Sequence, residues 1–235
     1  MSKKMVAIDC LSTSSKSYGQ HDAAVVIDVI RSTTVATTVV ETGRRCFFAS
    51  NVDDALLIAN KLDHPLLMGE IGGNMPYGFD LKNSPIDIQM YGEKNRPVVL
   101  VSTSGMPLLA SLSGRVSLFV ACLRNFNATI NHLANKYAQI DVLAAPTRGE
   151  FREEDKLCCS WIASGLIEMG YEPADKKTKQ IIEEMKDQTV KVCTQGNSAK
   201  YLRETNQEND LDFIVTHIND FNFPLVVKGN EIVRA

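Results

Sequence analysis

What this chain lacks narrows its function before any motif is read. No block of lysines or arginines interrupts its 235 residues, and the formal net charge is −3, so no nucleic-acid face is expected. Apolar runs such as AAVVIDVI and RPVVLVS fall far short of a membrane span. The opening MSKKMVAIDCLS starts basic, but its apolar stretch breaks at Asp9, which argues against a signal peptide. Six cysteines (Cys10, Cys46, Cys122, Cys158, Cys159, Cys193) form no C-x-x-C pair. They also share no zinc spacing with the histidines. They read as reduced, mostly buried small hydrophobes of a cytoplasmic protein. His21, His64, His132 and His217 show no metal-ligand spacing either, and Trp161 reads as core. There is no G-x-x-x-x-G-K-[ST] loop, no G-x-S-x-G elbow and no G-x-G-x-x-G fingerprint. Position 30 is Ile, where a haloacid-dehalogenase-type mechanism needs a second Asp two residues after Asp28.

What is present is ordinary in bulk: 44% hydrophobic and 23% charged residues, as in a globular domain with a substantial core. Strand-like and helix-like segments alternate. Strands are expected at 5–9, 23–30, 46–50, 65–70, 96–102, 117–121 and 140–145. Helices are expected at 32–43, closed by Gly43, and at 51–62, capped by Asn51. Further helices are expected at 106–113, 127–138, 153–170, 175–187 and 197–205. Gly229-Asn230 marks a terminal hairpin turn. This is the pattern of an α/β fold, layered α/β/α, with a mostly parallel (mixed) sheet and a C-terminal β-hairpin. One domain over 1–235 is expected, with room for two lobes. The long loop 72–85 is rich in Gly, Pro and Asn, and loops of that length in compact domains are commonly functional.

Open α/β sheets bind ligands at the carboxyl ends of their strands, and several strand ends here carry chemistry. The first presents Asp28-x-x-Arg31-Ser32-Thr33-Thr34. Another presents Glu70, then the glycine loop with Asp80, Asn83 and Ser84. A third presents Ser102-Thr103-Ser104-Gly105 at a helix start. A fourth leads through Arg148 to Glu153, Glu154 and Asp155. Helix N-termini offer unpaired N–H groups to anions, and arginine clamps phosphate, sulfonate or carboxylate bidentately. Carboxylates gathered beside an anion site suggest Mg²⁺ between the two. Each feature also has a plainer reading: Asp28 as a turn cap, Ser102–Gly105 as a helix cap, the acids at 153–155 as partners of a helix dipole.

In combination, IDVIRSTT (27–34), GE (69–70), GFDLKNSP (78–85), STSG (102–105) and REED (152–155) resemble the ComB family, the Mg²⁺-dependent 2-phosphosulfolactate phosphatases. GNSAKYL (196–202), the segment from Asp212 and Pro224 extend the likeness over nearly the whole chain. The resemblance implies a phosphoric monoester hydrolase that releases phosphate from the 2-oxygen of a small anionic, phosphorylated and sulfonated acid. Asp28, Arg31, Glu70, Asp80, Asn83 and Asp155 are the positions carried over. Asp28, Glu70 and Asp155 stand as catalytic candidates, and Asp28, Glu70 and Asp80 as metal ligands. Arg31 and Arg148 are expected as anion clamps, with Ser32, Thr33, Asn83, Ser84, Thr103, Ser104 and Gly105 contacting substrate oxygens. Two departures stand out. The family's T-T-N-G-T reads Ser102-Thr103-Ser104-Gly105-Met106 here, so Met106 removes a donor at a turn expected to face the ligand. Arg124 also replaces a small or apolar residue. These motivate an alternative: a non-catalytic or substrate-shifted phosphate/sulfonate-binding protein on the same scaffold. A metal-dependent lyase or isomerase would need a base poised near neutral pH, and no His or Lys stands out for that role. A homodimer suits a chain of this class, with no interface residue to name.

Overall fold

The computed structural model describes residues 3–10, 17, 19, 22–146 and 150–235. The chain runs β1 (Met5–Cys10), β2 (Asp22–Ile27), α1 (Ser32–Glu41), β3 (Cys46–Ala49), α2 (Val52–Ala59), β4 (Leu66–Gly69), β5 (Leu81–Lys82) and α3 (Pro85–Met90). Next come β6 (Val98–Val101), α4 (Gly105–Leu112), β7 (Ser117–Ala121), α5 (Phe126–Leu133), β8 (Gln139–Ala144) and α6 (Glu153–Glu168). It ends with β9 (Glu172–Pro173), α7 (Lys176–Met185), a 3₁₀ turn (Val190–Thr194), α8 (Asn197–Glu204), α9 (Glu208–Thr216), β10 (Leu225–Lys228) and β11 (Glu231–Arg234). The fold is α/β, with a large, mostly parallel sheet and a C-terminal hairpin. No helix among the described residues is long and apolar enough to cross a membrane.

The strand order is β5-β4-β6-β3-β11-β10-β7-β2-β8-β1-β9. The hairpin β10–β11 lies in the middle and joins two parallel groups, pairing antiparallel with β7 on one side and β3 on the other. By these pairings the two groups run in opposite senses. Twist of roughly 20–25° per strand step turns β6 by about 100–125° over the five steps that separate it from β2. That rotation lets strand ends opposed by pairing alone approach each other.

Residue alternation shows what each face covers. In β2, Ala23, Val25 and Ile27 join the core under α5, α6 and α7, while Ala24 and Val26 face a second core. In β6, Val98 and Leu100 enter that second core, and Val99 and Val101 pack under α2. The second core holds α1 and α4 between the two strand groups. Strands buried on both faces read as continuous apolar runs, which is how AAVVI and VVLV appear.

Helix α1 is rich in threonine, yet nine of its ten residues are buried. Its hydroxyls find partners inside the fold. Thr34 Oγ1 donates to Val29 O at 2.8 Å, Thr37 to Thr33 O at 2.8 Å and Thr38 to Thr34 O at 2.9 Å. A satisfied hydroxyl avoids the ~1–3 kcal/mol cost of burying an unpaired polar group. Gly43, at φ +84°, then ends the helix. Its N–H reaches Val40 O, and the Arg44 N–H reaches Val39 O, the double bond of a Schellman motif.

Candidate active site

β2 ends at Ile27, one residue before Asp28. The turn that follows is held by Thr33, whose Oγ1 accepts from Asp28 N–H at 3.1 Å and donates to Asp28 O at 2.9 Å. Ser32 Oγ donates to Asp28 Oδ2 at 2.6 Å. The first residue of α4 presses on the same carboxylate from the other side. A Cβ on Gly105 would stand 2.1 Å from Ser32 Oγ and 2.6 Å from Asp28 Oδ2. The N-termini of α1 and α4 therefore converge on one buried aspartate. Burial raises the pKa of Asp28 and the Glu70 charge adds to the rise, while the Ser32 hydroxyl and the Ser32 and Gly105 N–H groups oppose it.

α6 adds two acids. Asp155 Oδ1 accepts from Val29 N–H at 2.7 Å, which pins the start of α6 to the residue after Asp28. Its pKa is pushed up by burial, then by Glu154 and Asp28. Glu154 is 1% exposed, and neither of its oxygens has a partner in hydrogen-bond geometry. Burial raises its pKa too, against the Ser198 hydroxyl and Arg152, with the Asp28 charge assisting.

Glu70 follows β4 and organises the loop after it. Its Oε1 accepts from Thr103 N–H at 2.8 Å, and its Oε2 from Thr103 Oγ1 at 2.8 Å and Gly73 N–H at 2.6 Å. Tyr201 on α8 donates to Gly73 O, tying that loop to the C-terminal helices. Between them lies a cavity of about 190 Å³, below the ~300–1,000 Å³ of drug-sized sites. Glu70, Arg31, Lys82, Asn83, Tyr201 and Gln207 are in its wall. Arg31 Nη1 donates to Asp210 Oδ2 and to Gln207 Oε1, the latter at 2.7 Å. Asp210 also accepts from Ser84 Oγ at 2.6 Å.

A family model described as 2-phosphosulpholactate phosphatase matches residues 10–228. The chain belongs to the 2-phosphosulpholactate phosphatase family. It is similar to a probable 2-phosphosulfolactate phosphatase of Carboxydothermus hydrogenoformans, at 32% identity over 68% of this chain and 68% of that protein. The corresponding protein of Pseudothermotoga lettingae is 31% identical over 68% of this chain and 66% of its own. That of Thermotoga maritima is 26% identical over 90% and 92%.

In this member of the 2-phosphosulpholactate phosphatase family, the residues singled out by sequence do not all converge. Asp28, Glu70 and Asp155 come into one electrostatic neighbourhood, with Ser32 and Gly105 against Asp28, Thr103 against Glu70, and Arg31 and Asn83 at the cavity. Thr33 and Ser84 also hold local structure. Thr33 locks the Asp28 turn, and Ser84 caps α3 by accepting from Asp87 N–H at 3.1 Å. Ser104 precedes α4 without a side-chain capping bond. Asp80 stands elsewhere. It is exposed, and its carboxylate accepts from Leu67 N–H at 2.8 Å, three residues short of Glu70, or about 10 Å along an extended strand. Arg148 lies outside the described residues. Met106, expected at a ligand-facing turn, is fully buried in the second core, and its N–H donates to Ser102 Oγ at 3.0 Å. Arg124 is likewise buried, paired with Glu41 at 2.7 Å and Asp220 at 2.8 Å.

Sequence reasoning missed Lys82, Tyr201, Gln207 and Asp210. Lys82 was legible in the quoted GFDLKNSP but passed over beside its neighbours. Tyr201 stands in the quoted GNSAKYL, whereas Gln207 and Asp210 carried no local signal, because helices far along the chain bring them in. Among the described residues, no three His, Cys, Asp or Glu side chains stand close enough to enclose a metal ion. The donors present are oxygens only, with Glu154 unpartnered. That set fits a hard cation held through one or two carboxylates and completed by water and substrate, as Mg²⁺ commonly is.

Proposed function

We propose that this protein hydrolyses 2-phosphosulfolactate to sulfolactate and phosphate, with Mg²⁺, in the cytoplasm. The observation that carries the reading is the convergence of two helix N-termini, at Ser32 and Gly105, on the buried Asp28. Helix N-termini favour phosphoryl oxygens through unpaired N–H groups and dipole. Arg31, fixed by Asp210 and Gln207, keeps Nε and Nη2 for an anion in the cavity. Asp28 is the carboxylate at the reacting phosphoryl, with Glu70 beside it and Asp155 holding the Val29 N–H that positions the turn. Asp28 and Glu70 are the residues that would hold Mg²⁺, which when bound offsets the phosphoryl charge as the ester bond breaks. The six free thiols, five of them buried, accord with a reducing compartment.

Phosphate release from 2-phosphosulfolactate, with Mg²⁺ and with EDTA, tests this for the wild type and Asp28→Asn. The expected result is metal-dependent release that falls by at least ~10²-fold in the variant. Binding without turnover is the second reading, favoured by Glu70, whose oxygens already accept three hydrogen bonds from Thr103 and Gly73. It requires that sulfolactate raise the melting temperature while no phosphoester is hydrolysed.

A further inference from the structure

We propose that the Lys82 end of the cavity seats the substrate's non-reacting sulfonate, and that Lys82 sets the preference for sulfonated over unsulfonated phospho-acids. The proposal rests on the phosphatase reading above and assigns the opposite end of the same substrate.

The cavity has two chemically different ends. At one, Glu70 lies within the electrostatic reach of Asp28, where the phosphoryl group reacts. At the other, Lys82 and Asn83 leave the edge strand β5. The Lys82 charge is felt at Asp87. Lys82 is exposed and forms no ion pair with a described carboxylate, so its ammonium is available to a ligand. Asn83 is 4% exposed, and its Oδ1 is buried without a hydrogen-bond partner. Its Nδ2, in the cavity wall and without a bond to a described residue, keeps its protons for a ligand.

Glu70 belongs to the reacting end. Three donors already engage its oxygens, all from Thr103 and Gly73. Lys82, the Asn83 amide and the free edge of the Arg31 guanidinium thus present three separate donor groups. A sulfonate has three equivalent acceptor oxygens in a pyramid, whereas a planar carboxylate has two. The donors match the former. Lysine acts here as a point charge, which suits a group whose charge is spread over three oxygens.

The test compares wild type with Lys82→Met and Lys82→Arg on 2-phosphosulfolactate and 2-phospholactate, which differ by the sulfonate. Binding of sulfolactate and lactate is measured alongside by calorimetry. Lys82 lies exposed on a two-residue edge strand, so the substitutions leave the core untouched. The expected result is that the ratio of kcat/KM for the sulfonated over the unsulfonated substrate falls about 10- to 100-fold in Lys82→Met. The loss falls chiefly in KM, and Lys82→Arg recovers part of it. Equal loss on both substrates, or no loss on either, overturns the assignment. If the wild type releases phosphate from neither ester, the phosphatase reading fails and the subsite is judged by binding. Sulfolactate held by the wild type and weakened at least about 10-fold in Lys82→Met upholds it. Unchanged affinity, or no binding by the wild type, overturns it.

Discussion

Replacing Gly105 with alanine probes the contact on which the site is built. The added methyl would stand 2.1 Å from Ser32 Oγ and 2.6 Å from Asp28 Oδ2, where ordinary contact is 3.4 Å or more. Each group must move by roughly 1 Å within a close-packed interior, at an overpacking cost of ~1–3 kcal/mol. Moving Ser32 also breaks its 2.6 Å bond to the buried carboxylate, and a hydrogen bond to a charged group contributes ~1.5–3 kcal/mol. Against this, Gly→Ala in a helix gains at most ~1 kcal/mol. The net is a loss of about 2–5 kcal/mol, or roughly 5–15 °C in melting temperature for a chain of this size. Phosphate release should fall at least ~10²-fold, since Ser32 and Asp28 are the groups displaced. Circular dichroism melts and a phosphate assay on the same preparation measure both. A variant that melts within about 1 °C of wild type and retains its activity would refute the close approach of α4 to Asp28.

Two further substitutions test the buried charges. Arg124→Met strands Glu41 and Asp220, both about one-third exposed. Because those acids can rehydrate, the expected loss is ~2–3 kcal/mol, below the ~3–5 kcal/mol of a fully buried pair, read from the urea midpoint at unchanged slope. Glu154 has its pKa raised by burial above the ordinary 4.5, so the folded state holds more protons than the unfolded one. Stability from this group therefore falls as pH climbs above about 4.5. In the metal-free protein, Glu154→Gln should melt above wild type at pH 8, with the gap narrowing toward pH 5. Scanning fluorimetry across that range measures it, and a variant that melts lower at pH 8 would show that the carboxylate is partnered.

Local chemistry made most of the elements readable in advance. The hydroxyl start and Gly43 marked a helix that the structure places at Ser32–Glu41 with a Schellman end. Asn51 does cap α2, accepting from Asp54 N–H at 2.8 Å, and Gly229-Asn230 does turn the terminal hairpin. Caps, turns and alternation act over a few residues, so the chain displays them directly. α3 at Pro85–Met90 begins at the last residue of the 72–85 loop, and α9 at Glu208–Thr216 is not among the expected helices. Both are short and packed against each other, so their apolar faces make sense only after assembly.

The site divides in the same way. Asp28, Arg31 and Glu70 could be named from the chain because strand ends in α/β folds deliver function, and because the motifs resemble a family. That Asp80 would bond to Leu67 N–H, that Met106 would point into the core and that Lys82 would face a cavity could not. The contacts that assemble the cluster join Val29 to Asp155 across 126 positions and Arg31 to Asp210 across 179. Loop closure over such spans leaves no periodic trace in sequence. Residue types and short-range geometry specified the parts, while the central hairpin and the accumulated twist of the sheet decided which strand ends would meet.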